Sequence, residues 1–338
     1  MSEPIFIVGT ERSGSNLLRL LLNAHSQVWI PHPPHFMNYF GKLDYGDLSS
    51  SKQQSLVLND MLRLIEYHIF PWEGIELDPV EIQNAIQHPS HFGIVAAIYE
   101  TVLKQNSKSI WGCKSTFMIE YISEVYKLYP QARFIFLVRD PRDVSASAKR
   151  SVFSPCHPLL SSKLWAKQQR LGVQALQNSP DQFCLIKYED LVEKSTETLT
   201  LLCNFLNIEL ELGMLDFFRN NEAQTGANLS ESWKNTGRPI QSNNFGKWRT
   251  QLTHTEIKAV ESQCYDLMVF FGYQPEFEQR PHTTKMDIVS ARLQEHLLSG
   301  KIELKSLKND RNALLRWRRA AYVNWLRFRH PPQARRDK

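Results

Sequence analysis

The stretch from Ile5 to Leu22, IFIVGTERSGSNLLRLLL, constrains the fold more than any other part of this 338-residue chain. Ile5–Val8 is a short apolar run, which is typical of a strand buried on both faces. A loop bounded by Gly9 and Gly14 follows, and leucines at helical spacing predict a helix that begins near Ser13. The N–H groups of such a loop and the helix dipole point toward the same place. This element therefore predicts a phosphate-binding site.

The loop lacks two groups that nucleoside triphosphatases need. Their P-loop reads G-x-x-x-x-G-K-[ST], with the lysine on the phosphates and the hydroxyl on Mg²⁺. Gly9 and Gly14 have that spacing, but Ser15 and Asn16 follow the second glycine. Arg12 is the cation that remains in the loop. The residues predict phosphate binding without a metal, although two glycines would also suit a plain strand–turn–helix connection.

Basic residues are concentrated at the C-terminal end. Residues 301–338 carry 12 lysines and arginines against 3 acidic residues, out of totals of 40 and 35. The rest of the chain is therefore mildly acidic, which argues against a nucleic-acid-binding surface on the main domain.

Cysteine usage and hydropathy predict the compartment. The five cysteines are scattered and have no metal-like spacing, so they are interpreted as reduced thiols. No apolar run reaches the roughly 18 residues of a transmembrane helix. Residues 1–4 lead directly into the first strand and leave no room for a signal peptide. These features predict a cytoplasmic protein.

The order of strands and helices predicts the fold class. Short apolar runs predict strands at Ser109–Lys114, Arg133–Val138 and Phe183–Ile186, with helices between them. Such alternation indicates an α/β fold with a mostly parallel central sheet flanked by helices, here around a P-loop-like nucleotide-binding core. Functional groups of such a sheet lie at the carboxyl ends of its strands. The polar residues found there are Arg12, Lys114, Arg139 and Tyr188.

The domain organisation follows from the helical and polar stretches. Residues 1–273 are predicted to form the main domain, with a helical insertion on the substrate side at about 40–110. Residues 208–245 are polar and irregular, and we expect a mobile loop there. A linker at 274–285 then precedes a basic helical extension at 286–338.

Two helix starts carry capping patterns. Asp140 is placed to cap a helix that has Pro141 in its first position, and Asp143 is expected to complete a capping-box-like turn. Thr253 is expected to cap a later helix together with Glu256, three residues on.

The extension has two features that predict contacts. Its leucines fall into two seven-residue columns, which predict a helix packed on the domain or on a partner such as a second copy of the chain. These leucines are Leu293, Leu307 and Leu314 in one column and Leu297 and Leu304 in the other. Arginines interleaved with aromatic residues over 311–329 suit an anionic membrane surface or an acidic glycan. A docked amphipathic helix with a solvated basic face is the alternative.

Four blocks, in order along residues 4–273, resemble sulfotransferases that use 3′-phosphoadenosine 5′-phosphosulfate (PAPS). VGTERSGSNLLRLLLNAH resembles the 5′-phosphosulfate loop, in the RSG[ST] form of the carbohydrate and tyrosyl-protein branches. FIFLVRDPRDVSASAKR resembles the 3′-phosphate motif, with Arg139 and Ser147 eight residues apart. LIKYEDL resembles the strand whose tyrosine lies near the adenine, and FGKWR resembles the late loop that closes over the nucleotide.

The resemblance implies a reaction and a donor site. The sulfuryl group of PAPS would pass in line to a hydroxyl, less readily an amine, of a small molecule, glycan or glycolipid. Adenosine 3′,5′-bisphosphate (PAP) would be left, and no metal would be needed. Arg12 would stabilise the leaving oxygen. The implied donor contacts are Arg12, Ser13, Gly14, Ser15, Asn16, Arg139, Ser147, Tyr188, Lys247 and Trp248.

The catalytic base is where the chain departs from the family pattern. Pro33 stands where these branches commonly carry a glutamate. His35 and His32 flank that position and can take a proton near neutral pH, so one of them is the predicted base. Lys114 is expected on the transferring sulfuryl oxygens. The alternatives are a P-loop kinase or NTPase, and a catalytically weak PAPS-binding or scaffold protein on the same fold.

Overall fold

The structure, a computed structural model, describes residues 3–70, 72 and 74–332. The last part of the predicted basic extension, 333–338, lies outside the described residues. The described strands form one parallel sheet in the order β2-β3-β1-β4-β5, which confirms the predicted α/β class. The strands are β1 Ile5–Gly9, β2 Val28–Trp29, β3 Ile110–Lys114, β4 Arg133–Val138 and β5 Phe183–Lys187.

Helices cover both faces of this sheet and build the segments between and after its strands. The α-helices are α1 Ser15–Asn23, α2 Phe36–Phe40, α3 Ser51–Glu66, α4 Pro79–Ala85, α5 His91–Lys104, α6 Ile122–Leu128, α7 Pro141–Ala148, α8 Pro158–Asn178, α9 Tyr188–Glu193, α10 Ser195–Leu206, α11 Asn221–Leu229, α12 Trp248–Gln251, α13 His254–Phe270, α14 Lys285–Asn309 and α15 Ala313–Arg329. Short 3₁₀ helices span Thr116–Glu120, Pro180–Gln182, Leu212–Arg219 and Glu231–Gly237.

The central strand β1 is buried on both faces, as its sequence predicts. Phe6 and Val8 belong to the core on one side of the sheet, whereas Ile5 and Ile7 belong to the core on the other side. Because side chains alternate along a strand, a continuous apolar run is needed when helices cover both faces. β1 lies between β3 and β4, so the loop after β1 opens at the middle of the sheet edge.

The two capping predictions have different outcomes. Thr253 and Glu256 form the expected reciprocal capping box at α13. Asp140 caps α7 by accepting from the Arg142 N–H. The capping-box role of Asp143 is wrong, because its carboxylate accepts from the backbone of the segment that follows residue 245 instead.

The expectation of a mobile loop at 208–245 is also wrong. The segment folds into α11 and two 3₁₀ helices. Met214, Phe217 and Trp233 of this segment are buried. Short 3₁₀ turns need only one apolar anchor every few residues, so a polar sequence can still pack against the domain.

The extension turns one face of α15 toward the domain. Tyr322, Val323 and Leu326 are buried there, and the Tyr322 hydroxyl donates to the Asp60 carboxylate at 2.8 Å. The predicted leucine columns do not pack on the domain. They face outward instead, with exposed fractions that reach 73% at Leu314. Among the described residues, no helix is both long and apolar enough to cross a membrane.

Candidate active site

A cavity of about 620 Å³ lies at the carboxyl ends of the strands. The residues that follow or end β1, β3, β4 and β5 all contribute to its wall, as parallel topology requires. These residues are Arg12, Lys114, Arg139 and Tyr188. The predicted convergence of the four side chains is therefore observed.

The loop after β1 is held open by unusual backbone angles. Gly9 has φ 147°, and a Cβ there would lie 2.3 Å from the Leu137 carbonyl oxygen. Gly14 has φ 89°, and a Cβ there would strike the Tyr188 ring. Arg12 adopts φ 70°, a left-handed conformation that costs a non-glycine residue about 1–2 kcal/mol. This strain is maintained by the packing around the loop and places an arginine in the cavity wall.

The two predicted phosphate-binding groups are neighbours. Arg12 Nε donates to Ser147 Oγ at 3.1 Å. Arg139 donates to the Arg12 carbonyl and to the Asn244 carbonyl, each at 3.1 Å, and its guanidinium lies 4.2 Å from the centre of the Tyr188 ring. Burial lowers the pKa of Arg12 to about 10, so its guanidinium is still a cation at neutral pH.

Within the described part of the chain, Arg139 forms no salt bridge. Among the described residues, neither Asp143 nor Glu189 forms a salt bridge with it. Asp143 accepts from the Gly246 and Trp248 N–H groups, and Glu189 accepts from the Asp140 N–H. Arg139 Nε and Ser13 Oγ are buried without a hydrogen-bond partner in the described part of the chain. Unpartnered donors beside a cavity fit an anionic ligand.

The remaining predicted donor contacts divide into two groups. Gly14, Ser15 and Asn16 line the cavity, whereas Ser13 is buried beneath the loop. Lys247 also lines the cavity and donates to the Asn244 side chain at 2.6 Å.

Trp248 lies outside the cavity wall. It is buried, and its ring packs 3.9 Å from the Arg142 guanidinium and 4.3 Å from that of Arg249. Its backbone N–H donates to the Asp143 carboxylate. These contacts give Trp248 a structural position behind the late loop, not a place against the cavity.

His32 and His35 both line the cavity, but their rings are engaged. His32 Nδ1 lies 2.9 Å from His68 Nε2, and its ring packs against Trp233. His35 adopts φ 58°, and its Nδ1 lies 3.1 Å from Ser115 Oγ. Burial lowers the pKa of both histidines well below the usual value, so both are neutral and weakly basic at physiological pH.

Glu11 is a cavity residue that sequence analysis missed. It lines the wall beside Arg12 and Lys114. Burial raises the pKa of Glu11 to about 7, although the positive charges of Lys114 and Arg12 oppose this shift. Burial also lowers the pKa of Lys114, to about 8. An acidic residue within an anion-binding loop is the sequence feature that would have drawn attention to it.

Arg319 is a second missed residue, and it comes from α15. It lines the same cavity, donates to the Pro34 carbonyl and packs 5.1 Å from the Tyr39 ring centre. In the sequence it is one of several arginines in a basic run, so nothing there distinguishes it from its exposed neighbours.

Fold and cavity together define an α/β protein with a cavity at the carboxyl ends of its strands and an arginine-bearing loop after its first strand in the cavity wall. The model of the Sulfotransferase family matches residues 4–211. Because that match spans more than half of the 338 residues, the chain belongs to the sulfotransferase family. The resemblance found in the motifs is thereby confirmed.

Individual relatives are distant. The chain is 25% identical over 281 residues to protein-tyrosine sulfotransferase 1 of Danio rerio, covering 80% of this chain and 72% of that protein. It is 22% identical over 294 residues to nodulation protein NoeE of Sinorhizobium fredii, covering 80% of this chain and 65% of that protein. The sulfotransferase domain of the Synechococcus PCC 7002 olefin synthase has a TM-score of 0.56 at 21% identity, covering 81% of this chain and 97% of that domain. This last likeness shows the shared fold.

Proposed function

We propose that this member of the sulfotransferase family transfers the sulfuryl group of PAPS to a hydroxyl, less readily an amine, of a small molecule, glycan or glycolipid. The observation that carries the proposal is the meeting of Arg12, Ser147 and Arg139 in one cavity wall, where Arg12 donates to the Ser147 hydroxyl and Arg139 donates to the Arg12 carbonyl. A donor with two separate anionic groups needs two adjacent cationic sites of this kind.

Each anionic group of the donor has a proposed partner set. Arg12 and the N–H groups at the start of α1 bind the 5′-phosphosulfate. Arg139 and Ser147 bind the 3′-phosphate, with the unpartnered Arg139 Nε available for it. Tyr188 lies near the adenine, and Lys247 adds positive charge from the late loop. PAP is then the product that remains in the site.

In the transfer step, cationic side chains of this chain stabilise the negative charge that develops on the donor. The acceptor oxygen forms a bond to sulfur while the bond from sulfur to the 5′-phosphate oxygen breaks, and that oxygen keeps the electron pair. Arg12 stabilises the negative charge that develops on the leaving oxygen, and Lys114 faces the sulfuryl oxygens. Since both cations are supplied by the chain, we propose that the step proceeds without a metal ion.

Glu11 is the group best suited to take the acceptor's proton. Its pKa, raised to about 7, lies in the range in which a carboxylate is an effective general base at neutral pH. His35 and His32, the bases favoured by the sequence, are weaker candidates because burial lowers their pKa values. After transfer, the proton on Glu11 is released to solvent.

Calorimetric titration of the wild-type protein with PAP in EDTA tests the donor assignment. We expect PAP to bind about 10- to 100-fold more tightly than adenosine 5′-monophosphate (AMP), because only PAP offers a phosphate to Arg139 and Ser147. Tighter binding of Mg·ATP than of PAP would support the kinase or NTPase alternative. PAP binding without any turnover of labelled PAPS would support the scaffold alternative.

We also propose that the enzyme works in the cytoplasm, in peripheral contact with an anionic membrane. The five cysteines are buried free thiols, which agrees with a reducing cytoplasm.

The outward face of α15 carries Leu314, Trp317, Trp325 and Phe328, with Phe328 87% exposed. Exposed arginines alternate with these side chains along the helix. An apolar stripe rimmed by arginines suits the surface of an anionic membrane.

Removing this stripe is expected to weaken membrane binding. The combined variant Leu314→Ala, Trp325→Ala and Phe328→Ala should lower partitioning onto phosphatidylserine-containing vesicles at least about tenfold in a sedimentation assay. Leu212→Ala, at a residue 70% exposed elsewhere on the surface, is the matched control. Unchanged vesicle binding, together with a concentration-dependent rise in mass that the variant loses, would instead identify the stripe as a contact between two copies.

A further inference from the structure

The structure contains five buried arginines among its described residues, and they fall into two groups. Three have carboxylate partners: Arg19 with Glu222, Arg142 with Asp140 and Glu261, and Arg316 with Glu303 and Asp310. The described residues provide no carboxylate partner for the other two, which are Arg139 and Arg319. Both of these unpaired arginines line the same cavity.

Arg319 lies in the part of the cavity wall beside Pro34 and Tyr39. It donates to the carbonyl of Pro34, and the next residue, His35, contacts Ser115 beside Lys114. The donor groups Arg139 and Tyr188 instead contact Asn244. Through Pro34 and His35, these contacts link Arg319 to the part of the cavity wall that holds Lys114, where the sulfuryl group would meet the acceptor.

The charge of Arg319 is incompletely satisfied within the described residues. Its exposed fraction is 8%, the same as that of Arg316 one turn earlier on α15, yet Arg316 has two carboxylates and Arg319 has none. The Nε of Arg319 is buried without a hydrogen-bond partner. Burial lowers the pKa of Arg319, which is the direction expected for a cation that lacks a counter-charge. A bound anion would supply that charge.

We propose that Arg319 forms an anion subsite for the acceptor, so that the acceptor carries a carboxylate, sulfate or phosphate group besides the hydroxyl that is sulfated. This inference rests on the proposed function, because it takes the cavity wall around Arg12, Arg139 and Tyr188 to be the donor site. Asn38 and Tyr39 line the cavity beside Arg319 and can contribute hydrogen bonds to the same anion. The extension then completes the acceptor site of the domain.

Two phenols that differ by one charge test the subsite without requiring turnover. The wild-type protein, saturated with PAP, is titrated calorimetrically with 3-(4-hydroxyphenyl)propionate and with its amide. We expect the acid to bind at least about tenfold more tightly than the amide, as one charge-assisted contact would produce. In Arg319→Gln this preference should fall below about twofold. Arg318→Gln, at an exposed neighbouring arginine, should leave it unchanged.

Thermal unfolding separates recognition from a purely structural role. Arg316→Gln should lower the Tm because it leaves two carboxylates unpaired, whereas Arg319→Gln removes a buried charge without stranding one. Equal binding of acid and amide to the wild type, no binding of either, or a preference that survives Arg319→Gln would overturn the subsite. Failure of PAP itself to bind would instead contradict the proposed donor site, so the two failures are distinguishable.

Discussion

Glu11→Gln is expected to lower kcat for a weakly acidic phenol such as tyramine by about 10²- to 10⁴-fold, the usual contribution of a general base. The amide has the shape of the carboxylate but cannot accept a proton. PAP binding should stay within about threefold of wild type, because the proposed donor contacts are Arg12, Arg139 and Ser147 and do not include Glu11. Initial rates with labelled PAPS, together with calorimetry, measure both quantities.

The acidity of the acceptor distinguishes loss of a base from loss of structure. A tyrosine-like phenol has a pKa of about 10 and must lose its proton during transfer. 4-Nitrophenol is far more acidic, and a substantial fraction of it is already ionised near neutral pH. The Glu11→Gln defect should therefore shrink below about tenfold with 4-nitrophenol. A defect of equal size with both phenols would mean that Glu11 only positions other groups.

The pH dependence has a definite sign. Burial raises the pKa of Glu11 to about 7, so the carboxylate is largely protonated and inactive below that pH. Wild-type kcat/KM should rise with pH through about 7 and fall again as Lys114, whose pKa burial lowers to about 8, loses its proton. The rise should disappear in Glu11→Gln. His35→Gln is the comparison variant. If His35→Gln loses more activity than Glu11→Gln, the sequence-based choice of a histidine base is correct.

Arg139→Ala is expected to weaken PAP binding at least about 100-fold. The variant removes a guanidinium that can hold the 3′-phosphate through two charge-assisted hydrogen bonds. It also removes the contacts to the Arg12 and Asn244 carbonyls and to the Tyr188 ring, which support the loop and the late segment. Calorimetry with PAP measures the total loss.

AMP isolates the part of this loss that belongs to the 3′-phosphate. Because AMP lacks that group, Arg139→Ala should bring PAP affinity close to AMP affinity while changing AMP binding much less. Ser147→Ala should lower PAP affinity by roughly tenfold, since it removes one hydroxyl. Arg249→Ala, at an arginine 64% exposed, is the control. A PAP-to-AMP ratio that Arg139→Ala leaves unchanged would contradict the assignment of the 3′-phosphate.

Several elements were predictable because their causes are local. The apolar run of β1, the glycines of its loop and the spacing of Arg139 and Ser147 are visible in the sequence, and all appear in the expected places. The fold of 208–245 was not predictable in this way. Its short helices are stabilised by a few buried anchors such as Trp233, which packs against His32 and Phe153, two residues distant in sequence.

By itself, the sequence determined the α/β class, the family and the residues that follow each strand, because strand and helix patterns and motif spacing depend on near neighbours along the chain. The tertiary structure alone decided which titratable groups share the cavity wall and which buried arginines lack a carboxylate partner among the described residues. Glu11 differs from an ordinary surface glutamate because it is half-buried in a cavity wall that also holds Lys114, a residue of another strand. Arg319 differs from Arg316 because only Arg316 meets carboxylates, while Arg319 is buried against Pro34, a residue from the other end of the chain. Burial and charge pairing are set by packing between distant segments, so they cannot be read from local pattern.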